Sequence, residues 1–135
     1  MQDFKKLAVL TLLTGYGLPG NTANVVSITQ SGAGHNKAHV TQQGAAGQLV
    51  VQQSGHNNTL VQSQTGGNNK SLVLQSGDNN TSLQSQDGSH NTAVTLQAGT
   101  GNIALHHQQG DGNNRTVVEV GSGKKVVITE TGKPL

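Results

Sequence analysis

From residue 24 to the C-terminus, the chain alternates small apolar side chains with polar ones in short segments, each closed by a glycine. Alternation of period two places successive side chains on opposite faces of an extended strand. One such segment puts four side chains on the same face: Asn91, Ala93, Thr95 and Gln97. The pattern therefore predicts a series of short β-strands, each with one enclosed face, joined by tight turns.

The segments recur with a fixed period. Ten units begin at residue 24, and every step between their first positions is 11 residues except the first step, which is 12. Asparagine is the most frequent first residue, as in Asn36, Asn58, Asn69, Asn80, Asn91 and Asn102. The seventh residue is glutamine in the first eight units: Gln30, Gln42, Gln53, Gln64, Gln75, Gln86, Gln97 and Gln108. The ninth residue is glycine in all ten units: Gly32, Gly44, Gly55, Gly66, Gly77, Gly88, Gly99, Gly110, Gly121 and Gly132. So strict a period is typical of a repeat architecture.

Alternate units differ at their fifth position, and this difference sets the length of a structural repeat. Odd-numbered units carry Ile28, Val51, Val73, Thr95 and Val117 there. Even-numbered units carry Val40, Gln62, Gln84, His106 and Ile128. We therefore predict coils of two units, or about 22 residues, in which odd units stack into a first sheet and even units into a second sheet that faces it. The predicted fold is all-β: a two-sheet β-solenoid of five coils over residues 24–135, with amyloid-like cross-β stacking.

The recurring polar residues have a chemical reason to lie inside. A side-chain amide both donates and accepts, so it can bond to the identical amide one coil above and below, and such ladders satisfy buried polar groups. We expect the asparagine of one strand to face the glutamine of its partner, and Lys124 to face Glu119 in the same way in the last coil. The glycines are expected in four-residue connections such as residues 76–79, where a tight turn requires positive φ.

The first 23 residues differ from the repeats. Lys5 and Lys6 precede the apolar run 7–13, and small residues follow as far as Ala23. This order of a basic region, a short apolar region and small residues predicts a signal peptide over residues 1–23. The apolar run is far shorter than the roughly 20 residues of a membrane-spanning helix. An ordinary buried N-terminal helix is the alternative.

The composition excludes an ordinary globular core. Hydrophobic residues make up 31% of the chain and charged residues 10%, and the only aromatic residues are Phe4 and Tyr16. Disordered chains of low hydrophobicity usually carry a high net charge, whereas the formal charge here is +2. A disordered Gln/Asn-rich segment remains as an alternative, but it would have no need of so strict a period. The absence of cysteine excludes disulfides and thiolate metal sites.

Candidate chemistry is sparse. The six histidines are scattered over predicted turns and faces, and no nucleophile, paired carboxylates or phosphate-binding loop stands out. We therefore expect no enzyme activity, no metal site and no cofactor. After residue 23 the six Lys and Arg residues nearly balance the five acidic residues, and no aromatic side chain remains for base stacking. We accordingly expect no specific nucleic-acid partner.

The repeats carry a resemblance to a known family. The spans 69–80 and 91–99 resemble the curlin repeat, in which Asn or Ser is followed after five residues by Gln and then, one residue further on, by Gly. The resemblance covers essentially all of residues 24–135. It implies a subunit of curli-type functional amyloid fibres, a β-solenoid that polymerises outside the cell for adhesion and biofilm formation.

The same resemblance implies partners and a location. The partners are further copies of the chain, other curlin subunits, a secretion channel in the outer membrane and its accessory proteins, and the route runs through the periplasm to the cell surface. The chain departs from the family pattern where Gly47 replaces asparagine and where the repeats follow the leader directly. The basic residues of the last coils resemble those of the minor, nucleating subunit, so major and minor subunit remain as alternatives.

Two surfaces are predicted to take part in assembly. The ends of an uncapped solenoid present unpaired N–H and C=O groups, which favours head-to-tail stacking of copies. The outer side of the first sheet is expected to present adjacent apolar rows, here called the lateral face: Val50, Leu72, Leu74, Val94, Leu96 and Val118. A contiguous exposed apolar patch usually marks an interaction surface, so we expect fibres to bundle along it.

A soluble, capped β-solenoid that binds ice or glycan is the alternative function. Such a protein needs a flat, regular array of hydroxyl groups. The second sheet is expected to present several, although not as one continuous column: Thr59, Ser63, Thr81, Ser85 and Thr92.

Overall fold

The computed structural model describes residues 9–13, 24–32 and 34–132. The predicted signal peptide lies outside these residues except for one strand, Val9–Leu13. The described residues form eleven β-strands. None of them belongs to a helix with the length and apolar character needed to cross a membrane.

The strands follow one another at short intervals along the chain. They are β1 (Val9–Leu13), β2 (Val25–Ser31), β3 (Lys37–Gln43), β4 (Gln48–His56), β5 (Thr59–Thr65), β6 (Lys70–Asp78), β7 (Thr81–Asp87), β8 (Thr92–Thr100), β9 (Ile103–Gln109), β10 (Asn114–Ser122) and β11 (Lys125–Thr131). No proline occurs between Pro19 and Pro134, so no strand of the repeat region loses a hydrogen-bond donor.

The strands form two parallel sheets. The first sheet has the order β2-β4-β6-β8-β10, and the second has the order β1-β3-β5-β7-β9-β11. Equivalent positions of successive coils pair in register, as when Gln53 pairs with Gln75 and Gln75 with Gln97. The prediction of a two-sheet β-solenoid with coils of about 22 residues is therefore confirmed.

Burial follows the predicted alternation. In β4, Leu49, Val51 and Gln53 are buried, while Gln48 and Val50 are exposed. Burying a leucine completely contributes about 2 kcal/mol to folding. One apolar cluster fills the core of the first three coils: Ala38, Val40, Leu49, Val51, Leu60 and Val73, with Val26 and Ile28 packed against them. In the fourth coil small and polar residues take these places, Ala93, Thr95, Ala104 and His106, and in the last coil Val117 is again a buried aliphatic residue.

The two sheets treat the repeat glycine differently. In the first sheet the nine-residue strands continue through it, and Gly55, Gly77 and Gly99 pair with one another in register. In the second sheet the seven-residue strands end before it, as β3 does before Gly44. The expectation that every glycine lies in a separate four-residue connection is therefore wrong for the first sheet, because the ladder hydrogen bonds extend past the glycine there.

Strand β1 adds to the N-terminal edge of the second sheet. It pairs in parallel with β3, from Val9 opposite Lys37 to Leu13 opposite Thr41. The second sheet therefore has six strands and the first has five. The signal-peptide prediction concerns the processing of the chain, and it stays a prediction.

Candidate functional site

The glutamines of the first sheet form a continuous side-chain ladder along the solenoid axis. Nε2 of Gln30 donates to Oε1 of Gln53 at 2.5 Å, Gln53 donates to Gln75 at 2.7 Å, and Gln75 donates to Gln97 at 2.8 Å. Every donor points toward the C-terminal end. The ladder therefore has a direction, and its two ends are chemically different.

A second ladder runs through the other sheet in the same direction. Gln42 donates to Gln64 at 2.5 Å, Gln64 to Gln86 at 2.6 Å, and Gln86 to Gln108 at 3.0 Å. All four side chains are buried. The eight glutamines predicted from the repeat thus lie in two parallel files, one in each sheet.

The second N–H of the inner glutamines crosses to the opposite sheet. Gln53 donates to the carbonyl oxygen of Lys37 at 3.1 Å, and Gln97 donates to that of Thr81 at 3.0 Å. The expected contact between the side-chain amides of an asparagine and a glutamine across the core is therefore wrong. Gln53 donates to the backbone carbonyl of Lys37, the residue after Asn36, and not to the Asn36 amide. The glutamines that donate in this way join neighbouring coils and also join the two sheets: Gln53, Gln75, Gln86, Gln97 and Gln108.

The asparagines at the first position connect turns. Nδ2 of Asn58 donates to the carbonyl oxygens of Ser54 at 3.0 Å and Gly77 at 2.9 Å, and its Oδ1 accepts from the backbone N–H of Asn80. The six predicted asparagines are all buried, and each accepts from the backbone of the next coil: Asn36, Asn58, Asn69, Asn80, Asn91 and Asn102. They act mainly on the backbone, and direct Asn-to-Asn amide contacts are fewer, such as Asn80 to Asn58 at 3.1 Å.

The repeat glycines from Gly32 to Gly99 are stacked too closely for any side chain, whereas a Cβ on Gly121, in the last coil, would meet only the Lys124 side chain at 3.3 Å. A Cβ placed on Gly77 would lie 2.1 Å from the carbonyl oxygen of Gly99. The first nine glycines of the series, Gly32 to Gly121, have φ between 97° and 123°, and Gly132 is not among the residues of positive φ. Both the close approach of neighbouring coils and the left-handed backbone require glycine at this position.

A second left-handed position was missed by the sequence analysis. The last residue of a unit has φ between 55° and 59° in Ala46, Asn57, Asn68, Asn79 and His90, and φ between 66° and 71° in Gly101, Gly112 and Gly123. Asparagine and glycine are the residues that adopt this conformation most readily. Their frequency at this position was the signal that could have identified it.

Several polar side chains share the interior of the middle coils. Gln84 accepts from the Ser71 hydroxyl and donates to Oγ1 of Thr95. His106 is 3% exposed, and neither ring nitrogen has a partner among the described residues. Burial lowers the pKa of His106; the nearby Glu130 carboxylate opposes this shift and Arg115 adds to it.

The C-terminal end of both ladders is a carboxylate. Oε2 of Glu119 accepts from Gln97 at 2.7 Å, and Oε2 of Glu130 accepts from Gln108 at 3.2 Å. Because a carboxylate carries no N–H, neither residue passes a hydrogen bond onward. Each ladder therefore ends at the last coil, in a side chain that accepts a hydrogen bond and donates none.

The two carboxylates differ in their neighbours. Nε of Arg115 lies 2.9 Å from Oε1 of Glu130. Oε1 of Glu119 is buried without a partner. The expected pairing of Lys124 with Glu119 is wrong: in the described part of the chain Lys124 is exposed and forms no ion pair. The ion pair of the last coil instead joins Arg115 of β10 to Glu130 of β11, and the Arg115 side chain remains 48% exposed.

The lateral face is continuous but unevenly exposed. Val50 is 45% exposed and Val118 is 59% exposed. The four residues between them are half-buried and stack in register, Leu72 beside Val94 and Leu74 beside Leu96. The apolar rows therefore run over the middle of the first sheet.

The hydroxyl groups of the second sheet form short rows. Thr59 pairs with Thr81, and Ser63 pairs with Ser85. Thr92 lies on β8 in the first sheet, so its assignment to this array is wrong. Among the residues described, no group of three potential metal ligands comes together, and His56 contacts Asp78 of the next coil at 3.0 Å.

Comparison with known proteins adds no relative: no family model, no curated protein and no solved structure matches the chain.

Proposed function

We propose that the protein is the structural subunit of an extracellular, curli-type fibre that grows by end-to-end stacking of solenoids. The observation that carries this proposal is the pair of in-register glutamine ladders that run the full length of the repeats. Every added coil extends each ladder by one further side-chain hydrogen bond. A chain built from them is suited to continue into a second copy.

The edges of the first sheet support the same proposal. Among the described strands, β2 and β10 each have a neighbour on one side only. An edge strand presents unpaired N–H and C=O groups, which pair with another strand unless charges, proline or a covering segment prevent it. β2 carries no charged residue and no proline. Its free edge is therefore suited to receive the C-terminal end of another copy.

Location and partners follow from the resemblance and are part of the proposal. The chain would leave the cell through the periplasm and an outer-membrane channel with accessory proteins, and would join other curlin subunits at the cell surface. A role as the minor, nucleating subunit is the alternative within the family. The exposed cations of the last coil, Arg115, Lys124 and Lys125, favour it.

The test uses the chain from Asn24 to the C-terminus. β1 pairs only with β3, and β2–β11 pair among themselves, so this chain keeps every ladder of the repeat region. We expect electron microscopy to show unbranched fibres, with fibre diffraction at about 4.7–4.8 Å along the axis and about 10 Å across it. A sample that stays monomeric for days at high concentration in analytical ultracentrifugation would contradict the proposal.

A further inference from the structure

The glutamine ladder of the first sheet is one donor short of what a continuous stack requires. Its five members make four contacts within the chain, and each contact uses one N–H of Gln30, Gln53, Gln75 or Gln97. The remaining N–H of the three inner glutamines is used on backbone carbonyls. Glu119, the fifth member, only accepts. Gln30 also has a second N–H, but in this repeat that N–H takes the crosswise position from which the inner glutamines donate to backbone carbonyls. A stack of copies therefore adds a fifth ladder contact per chain and no further donor along the ladder.

The missing donor falls at the junction between copies. If the register of the sheet continues, Gln30 of the added copy lies over Glu119. Gln30 already donates to Gln53, so its Oε1 faces outward. The opposing group is the Glu119 carboxylate: its Oε1 has no hydrogen-bond partner among the described residues, and Glu119 is already buried in the single chain, at 1% exposed. Two acceptors then face each other in a buried site, an arrangement that is unfavourable by the full desolvation cost of a charged group.

Rotating the amides does not remove the mismatch. If every glutamine of the ladder turned its N–H toward the N-terminal end, Gln30 would donate to Glu119 of the neighbouring copy. Gln97 would then present its oxygen to Glu119 of its own chain. The number of donors is unchanged, so the unsatisfied contact only moves from one side of the carboxylate to the other.

Among the described residues, no cation lies within 4.0 Å of the Glu119 carboxylate. Arg115, on the same strand, is paired with Glu130 of β11 at 2.9 Å. Lys124, in the turn that follows β10, is exposed. The adjacent strand β8 contains no charged residue. The imidazole of His106, in β9, is buried without a partner among the described residues.

We propose that head-to-tail junctions form with the Glu119 carboxyl protonated, its O–H donating to Oε1 of Gln30 in the next copy. This inference rests on the proposed function, because it requires copies to stack. Each junction in the first sheet then takes up one proton from solvent, so acid favours assembly. Glu119 makes the C-terminal end of the solenoid an acid-dependent docking surface for the N-terminal end of a second copy. The second ladder has the same number of amide donors, but there Arg115, whose Nε lies 2.9 Å from Oε1 of Glu130, supplies both a positive charge and further N–H donors, so Glu130 requires no proton.

The experiment compares three forms of the chain from Asn24: the natural sequence, E119Q, and E130Q as the matched control. After assembly, the protein left in solution is measured at equilibrium from about pH 8 to about pH 5. We expect this concentration to fall by up to about tenfold per pH unit for the natural sequence. The E119Q chain has the fifth donor, so its soluble concentration is low at pH 8 and lacks that tenfold slope. The E130Q chain keeps the slope. All three retain His106, so the difference between them isolates Glu119.

Two results would overturn the inference while leaving the proposed function intact. One is an identical pH profile for the natural sequence and E119Q in fibres of normal appearance. The other is found by infrared spectroscopy on fibres made with ¹³C-labelled glutamate: an absent carboxylic acid band in the natural sequence contradicts protonation directly. If none of the three chains assembles at any pH although circular dichroism shows folded β-sheet, both the proposed function and the inference fail.

Discussion

Where the repeat glycines stack, a backbone carbonyl of the next coil occupies the space in which a side chain would begin. At Gly77 the nearest atom to an added Cβ is the Gly99 oxygen at 2.1 Å, whereas Gly101 has no atom within 4 Å. Both residues have positive φ. The two positions therefore separate the cost of a left-handed backbone from the cost of a collision between coils.

Gly77→Ala should lower the free energy of unfolding by about 3 kcal/mol or more, because neighbouring coils must move apart. Gly101→Ala should cost only about 1 kcal/mol, the strain of a left-handed alanine. Urea unfolding of the soluble protein, followed by circular dichroism, measures both. An equal loss of unfolding free energy in the two variants would show that the left-handed backbone alone explains why glycine recurs at the ninth position of every unit.

His106 should make the folded chain less stable in acid. Its pKa is lowered mainly by burial, so the unfolded chain binds a proton at a higher pH than the folded chain does. Stability is therefore fully present above the ordinary histidine value of about 6.5 and is lost as the pH falls below it, by at most about 1.4 kcal/mol per unit.

His106→Gln should remove this part of the pH dependence, because the equivalent position one coil below is Gln84 and holds an uncharged amide. Unfolding measured in urea at several pH values on dilute, unassembled protein checks the prediction. An unchanged slope between the natural sequence and the variant would mean that another group titrates. This effect opposes the acid dependence of assembly, so the two are distinguishable by sign.

At the scale of the strands, one coil lacks an asparagine that its neighbours have. Gly47 lies between Asn24 and Asn69 in the first sheet's column of first positions, and its N–H donates to Oδ1 of Asn24 at 2.9 Å. With no side chain, it cannot accept from the backbone of the next coil or donate to the turn carbonyls. A Cβ there meets only the ends of flexible side chains, at 3.1 Å or more.

Gly47→Asn should therefore stabilise the chain by about 1–2 kcal/mol, through hydrogen bonds of the kind made by the other asparagines. Gly47→Ala is the matched control, since it adds the same Cβ without the amide, and its gain should be smaller. Thermal or urea unfolding gives both values. A destabilised asparagine variant would indicate that the gap serves the packing of Gln42 and Gln64, which lie beside it.

The strands also show how far the sequence determines this fold. The number of sheets, the coil length and the inward-facing residues follow from the repeat itself, because each position is sampled up to ten times. Whether a strand ends before its repeat glycine or continues through it was not predictable in the same way. Gly77 and Gly44 occupy the same repeat position, yet only Gly77 lies within a strand.

The candidate site was predictable in its members and not in its connections. The period identified Gln75 and Asn58, but it carries no information about the direction in which an amide donates. The pairing of Arg115 with Glu130 depends on how the last coil closes across the core, which the alternation of a single strand does not describe. The membership of the ladders between strands was therefore predictable, whereas the direction of donation and the ion pair across the last coil required the structure.

At the scale of the whole molecule, the lateral face should control the width of fibre bundles. Serine should replace its four central residues, Leu72, Leu74, Val94 and Leu96. We expect single filaments in place of bundles, because burying this surface between filaments then no longer removes apolar area from water. The matched control changes four stacked residues on the second sheet to serine and should leave bundle width unchanged: Val61, Leu83, Leu105 and Val127. Negative-stain electron microscopy measures the widths, and equal thinning in both variants would contradict a specific role for the lateral face.

The extra strand β1 gives the molecule ends that do not match. Six strands in one sheet and five in the other cannot tile head to tail: when β1 of one copy meets β11 of the next, the opposite sheet has a one-strand dislocation, a gap of about 10 Å between β10 and β2. The 135-residue chain should therefore assemble more slowly than the chain from Asn24 in light-scattering measurements, and equal rates would show that β1 detaches freely. Removing residues 1–23 would leave five strands in each sheet, so that the two ends of the chain match in both sheets and copies can stack without a gap.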